Sequence, residues 1–388
     1  MRVKFLLAVL FFSSMTYAQN NENWFKENMD FSGYVKYLNT SSFENFDSFL
    51  IDNLLHNRLN LKLYLNKNLT ASVEIRNRVF WGNSVQNIPD YASFINNDSQ
   101  NLDLSVNIIN EPGLLFHSKI DRLYIDYHSD NWQITFGRQR INWGKNLVWN
   151  PNDLFNTYSF VDFDYEERPG ADALRIQYFL SGDSSIESVI NYTENWKDNT
   201  VAIKYNFHKY SYDFQILLAK YRKDYTIGVG WEGAIKTLGI KGELSYFTPQ
   251  EKSNLNEDVL LGSVSLDYYF KNGISVNSAV LYNSGGIKKA DYFDPSQFNS
   301  LDLSAKNLMP NQWSYFFQVS KALTPAINAS LSSIYAYELE GIFIMPQFGY
   351  AISQNWDLDI ISQIYYGKQD EKFSNIQNSL FLRFRWSF

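Results

Sequence analysis

The chain has no cysteine among its 388 residues, which excludes disulfide frameworks and thiolate metal sites. It has no run of about 18 uncharged apolar residues, which excludes membrane-spanning helices. The four histidines, His56, His117, His128 and His208, never fall at a metal-ligating spacing such as His-x-x-x-His. A glycine-rich phosphate loop is lacking, and Asp90, Asp98 and Asp103 miss the alternate-residue spacing of an oxygen-lined calcium loop. His117-Ser118 is an isolated pair without a third group to orient it. No enzyme activity, metal or cofactor is therefore expected. An excess of basic charge is lacking as well. Net charge is −7, from 34 Lys and Arg against 41 Asp and Glu, which argues against a nucleic-acid partner.

Two features are abundant. The first is a secretory start: Met1, Arg2 and Lys4, a short apolar run over 5–12, and Thr16-Tyr17-Ala18 as a cleavage site. Residues 1–18 read as a signal peptide, and 19–388 as one mature domain, since no Pro- or Ser-rich linker divides it. No cysteine follows the cut, which excludes lipoprotein attachment. The second is aromatic content, 27 Tyr, 30 Phe and 10 Trp, in a chain of slightly negative mean hydropathy. A secreted β-sandwich or a transmembrane barrel would have these properties. The barrel explains both at once, with an apolar lipid face, aromatic girdles and a polar lumen.

Period-two alternation recurs along nearly the whole chain, as in Leu380, Leu382, Phe384, Trp386 and Phe388 against Arg383, Arg385 and Ser387. About eighteen such segments are counted, centred near 34, 59, 75, 122, 136, 175, 190, 203, 215, 227, 241, 264, 278, 316, 331, 346, 361 and 381. Every even-numbered connection is tight. The long ones, 38–52, 81–115, 141–170, 247–258 and 284–310, all fall at odd positions. Outer-membrane barrels have short periplasmic turns, longer outside loops and an even strand count. The expected fold is all-β: an up-and-down antiparallel transmembrane barrel of about 18 strands, with 16 as the alternative. The expected place is the outer membrane of a Gram-negative bacterium, with its lipid as one partner. Phe388 ends the chain on an alternating strand, as expected of a terminal signal read by the barrel-assembly machinery.

The stretch Phe136-Gly137-Arg138-Gln139-Arg140-Ile141-Asn142-Trp143-Gly144 precedes Trp149-Asn150-Pro151-Asn152-Asp153, and Arg168-Pro169-Gly170-Ala171-Asp172 leads into a strand. This combination resembles porin-like outer-membrane barrels of the alginate-export type, over about residues 120–180. The resemblance implies passive passage of an anionic or sugar-like solute.

Strand parity assigns lumen positions. Arg58, Lys62, Arg76, Arg78, Arg122, Arg175, Arg383 and Arg385 face inward on strands that become neighbours on closure. They form either an anion-favouring wall or, with Glu74, Asp126 and other carboxylates, a bracing network. Arg138 and Arg140 share parity with outward residues and are expected at the outer rim. The 141–170 connection carries Trp143, Trp149, Asp153, Phe155, Tyr158 and Arg168, with further aromatics and acids that include Tyr165, Glu166 and Glu167. It is too aromatic for disorder. It is expected to fold into the lumen as a constriction, or else to cap the outer loops. The 81–115 and 284–310 connections read as solvated surface, and the outward positions as lacking a strip polar enough to demand a trimer interface, with oligomeric state left open. The expected function is a porin-like channel for passive diffusion of small hydrophilic, anionic or sugar-like solutes. The alternative is a non-conducting barrel whose outer loops bind a surface polysaccharide or assembly partner.

Overall fold

Successive strands pair with their sequence neighbours and the last pairs with the first, so the sheet closes on itself. The computed structural model describes residues 22–388 except 45–47, 97–99, 165–167, 182, 194, 253–256, 290–293, 296–302 and 370–371. The signal peptide, Asp98 and the Tyr165–Glu167 stretch lie outside the described residues. A short helix, α1 (Glu22–Asn28), precedes β1 (Met29–Phe43), β2 (Leu50–Asn66) and β3 (Leu69–Gly82). Two more, α2 (Asn83–Asn87) and α3 (Tyr91–Ile95), lead to β4 (Ser105–Glu111), β5 (Leu114–His128) and β6 (Trp132–Gln139). Then come β7 (Ala171–Phe179), β8 (Ser185–Asn191), β9 (Thr200–Lys209), β10 (Tyr212–Tyr221), β11 (Asp224–Ile235) and β12 (Leu238–Pro249). The circuit ends with β13 (Val259–Tyr269), β14 (Ile274–Asn283), β15 (Trp313–Thr324), β16 (Ile327–Ala336), β17 (Gly341–Ser353), β18 (Trp356–Gln369) and β19 (Lys372–Ser387).

Eighteen of these strands go round the barrel, and each centre read from the alternation falls inside one of them. β4 is the addition. β3 pairs directly with β5. β4 lies along the Leu114–Lys119 half of β5, beyond the point where β6 stops pairing at Leu123. Closure joins Gly33 and Phe388 by reciprocal backbone hydrogen bonds of 2.9 Å. In lipid an unpaired strand edge would strand its N–H and C=O groups, and closure removes that cost. Short turns gather at one rim, hereafter the turn rim, and long connections at the other, the loop rim. At one short turn the Asn68 amide donates to the Asn66 side chain at 2.8 Å, which supplies the reversal locally.

The outer surface is apolar. Phe31, Leu55, Ile125, Phe136, Ile227, Val264 and Leu331 are among its exposed residues. Aromatic pairs band both rims: Trp132 with Tyr178 and Trp356 with Trp386 at the turn rim, Tyr37 with Trp81 and Tyr282 with Trp313 at the loop rim. No helix among the described residues is long and apolar enough to cross a membrane. The strands do the crossing. This is a closed antiparallel transmembrane barrel of 18 strands.

Two expectations for the connections are corrected. Within 284–310, Ala305, Leu308 and Met309 are buried in the lumen core, and Lys306 reaches Asp224 at 2.6 Å. The segment has enough apolar surface to be drawn inward despite its polar average. Within 81–115, the α3 residue Ala92 packs with Phe80 and Leu115, and β4 extends the sheet.

Candidate functional site: the lumen and its inserted segment

The segment between β6 and β7 crosses the lumen. Gly137 begins the departure. Its φ of +116° suits glycine, and a Cβ there would meet the Leu123 carbonyl at 2.2 Å. Arg138 then lies on the outward side of the rim, paired with Asp172 at 2.6 Å and covered by the Leu102 backbone. Arg140 is a correction, because it lines an interior cavity instead of the rim. The two ends of the segment are tied by Asn156, whose Oδ1 accepts from the Ile141 amide at 2.6 Å and whose Nδ2 donates to the Pro169 carbonyl.

Two wall carboxylates moor the segment. Glu187 on β8 accepts from Trp143 Nε1 at 2.8 Å and from Arg175 at 2.6 Å, with Lys204 at 3.2 Å. Glu243 on β12 is held by main-chain groups instead. It accepts from three backbone amides of the segment, those of Lys145, Asn146 at 3.4 Å and Asn152 at 2.8 Å. Asn152 also donates to the Val229 carbonyl at 2.9 Å and accepts from Ser245 at 2.7 Å. This approach requires Gly228, where a Cβ would stand 2.4 Å from Asn152 Oδ1. Further along, Phe160 packs on Phe316 and Phe163 on Phe381, while Asp164 meets Lys36 at 2.7 Å. The segment therefore runs from β6 past β8, β12 and β15 to β19 and β1.

The six residues expected of a constriction have distinct places. Trp143 is 1 % exposed beneath Phe155, with edge-to-face rings 5.1 Å apart. Trp149 packs against Phe316. Asp153 is buried, accepts from the Trp143 amide at 3.3 Å and lies 3.5 Å from Arg168. Arg168 lies 3.4 Å over the Tyr158 ring. Burial pushes the Asp153 carboxyl up to about 6, against the pull of the Trp143 amide and Arg168.

The basic wall divides by height. Nearer the loop rim Arg58 and Arg76 are buried and share Asp121, at 2.8 and 3.1 Å, and Arg58 also pairs with Glu74. Here the wall is a braced network. Asp121 reaches the lumen because β5 carries an extra residue. Glu74 pairs with Arg122 and Ile75 with Ile120, so Asp121 and Arg122 both turn inward. Arg78 meets His117 at 3.3 Å. Arg383 pairs with Asp359 at 3.0 Å, and Arg385 lies over Tyr34 and donates to Ser387.

Towards the turn rim the wall bounds open space. A cavity of about 370 Å³ is lined by Lys62, Arg122, Arg140, Arg168 and Arg175 against Glu74 and Asp126, with Tyr124, Gln133 and Gln139 between. Lys62, Thr70 and Asp126 also line a second space of about 540 Å³, which extends to Asn66 and His128 in the turns. On the loop-rim side of the braced network a third, about 250 Å³, is bounded by Asp52, His56, Arg78, Tyr91 and Asp164. All three follow the β1–β7 arc. Across the lumen, Leu217, Phe247, Leu261, Leu281, Phe343 and Ile361 pack against the inserted segment as a dry core. A separate space of about 320 Å³ lies on that side, lined by Lys145, Lys241, Asp267 and Phe316.

The sequence matches no known family profile and no curated protein. Solved structures do share the fold. Acinetobacter baumannii OccAB4 superposes with a TM-score of 0.58 at 12% identity, over 93% of this chain and 98% of that one. Pseudomonas aeruginosa OccK5 (OpdH) gives 0.60 at 9% identity, over 93% and 99%. The P. aeruginosa outer membrane protein OpdK gives 0.57 at 8%, over 92% and 99%. None of these supports the alginate-export type. In this structure the Gly-Arg-Gln and Asn-Pro-Asn residues instead start and moor the inserted segment. Identities this low establish architecture alone, and the architecture is the closed antiparallel barrel that these structures share.

Proposed function

We propose that the protein is an outer-membrane channel through which small hydrophilic solutes diffuse passively along the β1–β7 arc, with anions favoured. The observation that carries this reading is the cavity where Lys62, Arg122, Arg140, Arg168 and Arg175 outnumber Glu74 and Asp126, beside a segment that fills the other side of the lumen. Cationic side chains along a wet passage lower the energy of an anion there and raise that of a cation. The 140–170 segment sets the width of the passage, with Arg168 held at its edge by Asp153 and Tyr158.

The test is the reversal potential of the refolded chain lacking residues 1–18, in a planar bilayer under a salt gradient. An anion-selective potential is expected. Deleting 146–166 is expected to raise single-channel conductance, and an unchanged conductance would remove the segment from any constricting role. A second reading, a non-conducting barrel that binds a surface polysaccharide or an assembly partner, draws on the depth to which 140–170 and 303–310 fill the lumen. Complete absence of conductance would favour it.

A further inference from the structure

Three polar side chains stand side by side on the lipid-facing side of β2, β3 and β5. Asn57 pairs across the sheet with Asn77, and Asn77 with Ser118. Ser118 Oγ donates to Asn77 Oδ1 at 2.7 Å, Asn77 Nδ2 to Asn57 Oδ1 at 3.1 Å, and Asn57 Nδ2 to the Tyr34 carbonyl at 3.1 Å. The neighbouring outward rows are apolar. Gly33, Leu59, Ile75 and Ile120 flank the row towards the turn rim, and Tyr37, Leu55, Val79 and Phe116 towards the loop rim. The row is therefore set within the apolar belt. All three side chains are only partly buried.

Lipid cannot satisfy such groups. A carboxamide has two N–H donors and a carbonyl with two lone pairs, and the lateral chain uses one donor of each asparagine. Within hydrocarbon the remaining capacity has to find protein. The geometry points to an intramembrane contact surface here, and the partner it fits is a second copy of this chain. Two copies inserted in the same direction carry the row at the same depth, so rotation about an axis normal to the membrane brings row against row. Carboxamides are their own complement, each offering both donor and acceptor. Polar side chains that hydrogen-bond across a lipid-embedded interface are a recognised source of association there.

The absence of native cysteine makes the test direct. Val79→Cys places a thiol on the adjoining outward row, and Val264→Cys places one on β13, on a different part of the lipid face. Each is oxidised in native membranes and resolved by SDS gel, with heat-modifiable migration confirming the folded barrel. Disulfide-linked dimers are expected from Val79→Cys and not from Val264→Cys. Adding Asn57→Leu and Asn77→Leu to Val79→Cys is expected to cut dimer yield at least tenfold while the barrel still folds, because leucine suits lipid. Any of three results would overturn the inference: no dimer from Val79→Cys, equal yield from Val264→Cys, or yield unaffected by the leucines. Cross-linking to a different outer-membrane protein would overturn the second copy as partner.

Discussion

Glu243→Gln is a small change with a large expected effect. The carboxylate is 1 % exposed and holds three segment amides, those of Lys145, Asn146 and Asn152. The carboxamide keeps the shape but loses the charge, and it turns an N–H towards at least one amide that needs an acceptor. Hydrogen bonds to a charged group contribute about 1.5–3 kcal/mol each, and an orphaned buried donor costs about 1–3 kcal/mol. Asn146, at 3.4 Å, contributes little. Weakening the other two costs docking about 3 kcal/mol in all, which multiplies the undocked population by about two orders of magnitude. The readout is single-channel recording in planar bilayers, where brief excursions to a wider conductance are expected to increase. Thermal stability of the barrel is expected to change little, since its strand pairing is untouched. Recordings indistinguishable from the unsubstituted protein would refute the mooring role of Glu243, because every step of the estimate depends on that contact.

Two further outcomes follow from the electrostatics. The raised Asp153 pKa means the docked segment binds more protons than the undocked one between pH about 4 and 6. The contribution of Asp153 to docking is thus strongest near pH 4, weakens as pH rises to about 6, by at most about 3 kcal/mol, and is level above. Excess open-channel noise is expected to rise between pH about 4 and 6, and that rise is expected to be lost in Asp153→Asn; an undiminished rise over the same window in the variant would place the titration elsewhere. Asp121→Asn removes the carboxylate shared by Arg58 and Arg76. It is expected to shift the reversal potential further towards anions and to destabilise the barrel by about 3–5 kcal/mol, as breaking a buried ion pair does. A shift towards cations would count against the assigned polarity of the wall.

Much of the architecture was legible because a strand repeats every two residues and a barrel exposes one parity to lipid. Leu59, Leu61 and Leu63 against Arg58, Asn60 and Lys62 state the inside and outside of β2 without ambiguity. The aromatic content of 141–170 likewise signalled a segment that must pack. What alternation could not show was where its count is interrupted. Asp121 has outward parity if counted from Leu123, and only the extra residue in β5 turns it into the counter-ion of Arg58 and Arg76. Nor could it show partners distant in sequence. Glu243 was readable as an inward position between Lys241 and Ser245, but its three donors lie more than ninety residues earlier. Ala305, Leu308 and Met309 were hidden by the polarity of the residues around them.

The inserted segment leans to one side, and the barrel is in consequence two machines sharing one circumference. In the proposed channel the arc from β1 to β7 is the part that meets the solute, and its inward residues are answerable to what passes. Most of the remaining arc meets only the protein's own chain, so its inward residues answer to packing. Substitution around the ring should therefore separate into two kinds, one that retunes which solutes cross and one that loosens the wall without changing their order of preference. A barrel arranged in this way can acquire a new cargo by altering a contiguous third of its staves while the rest stay fixed.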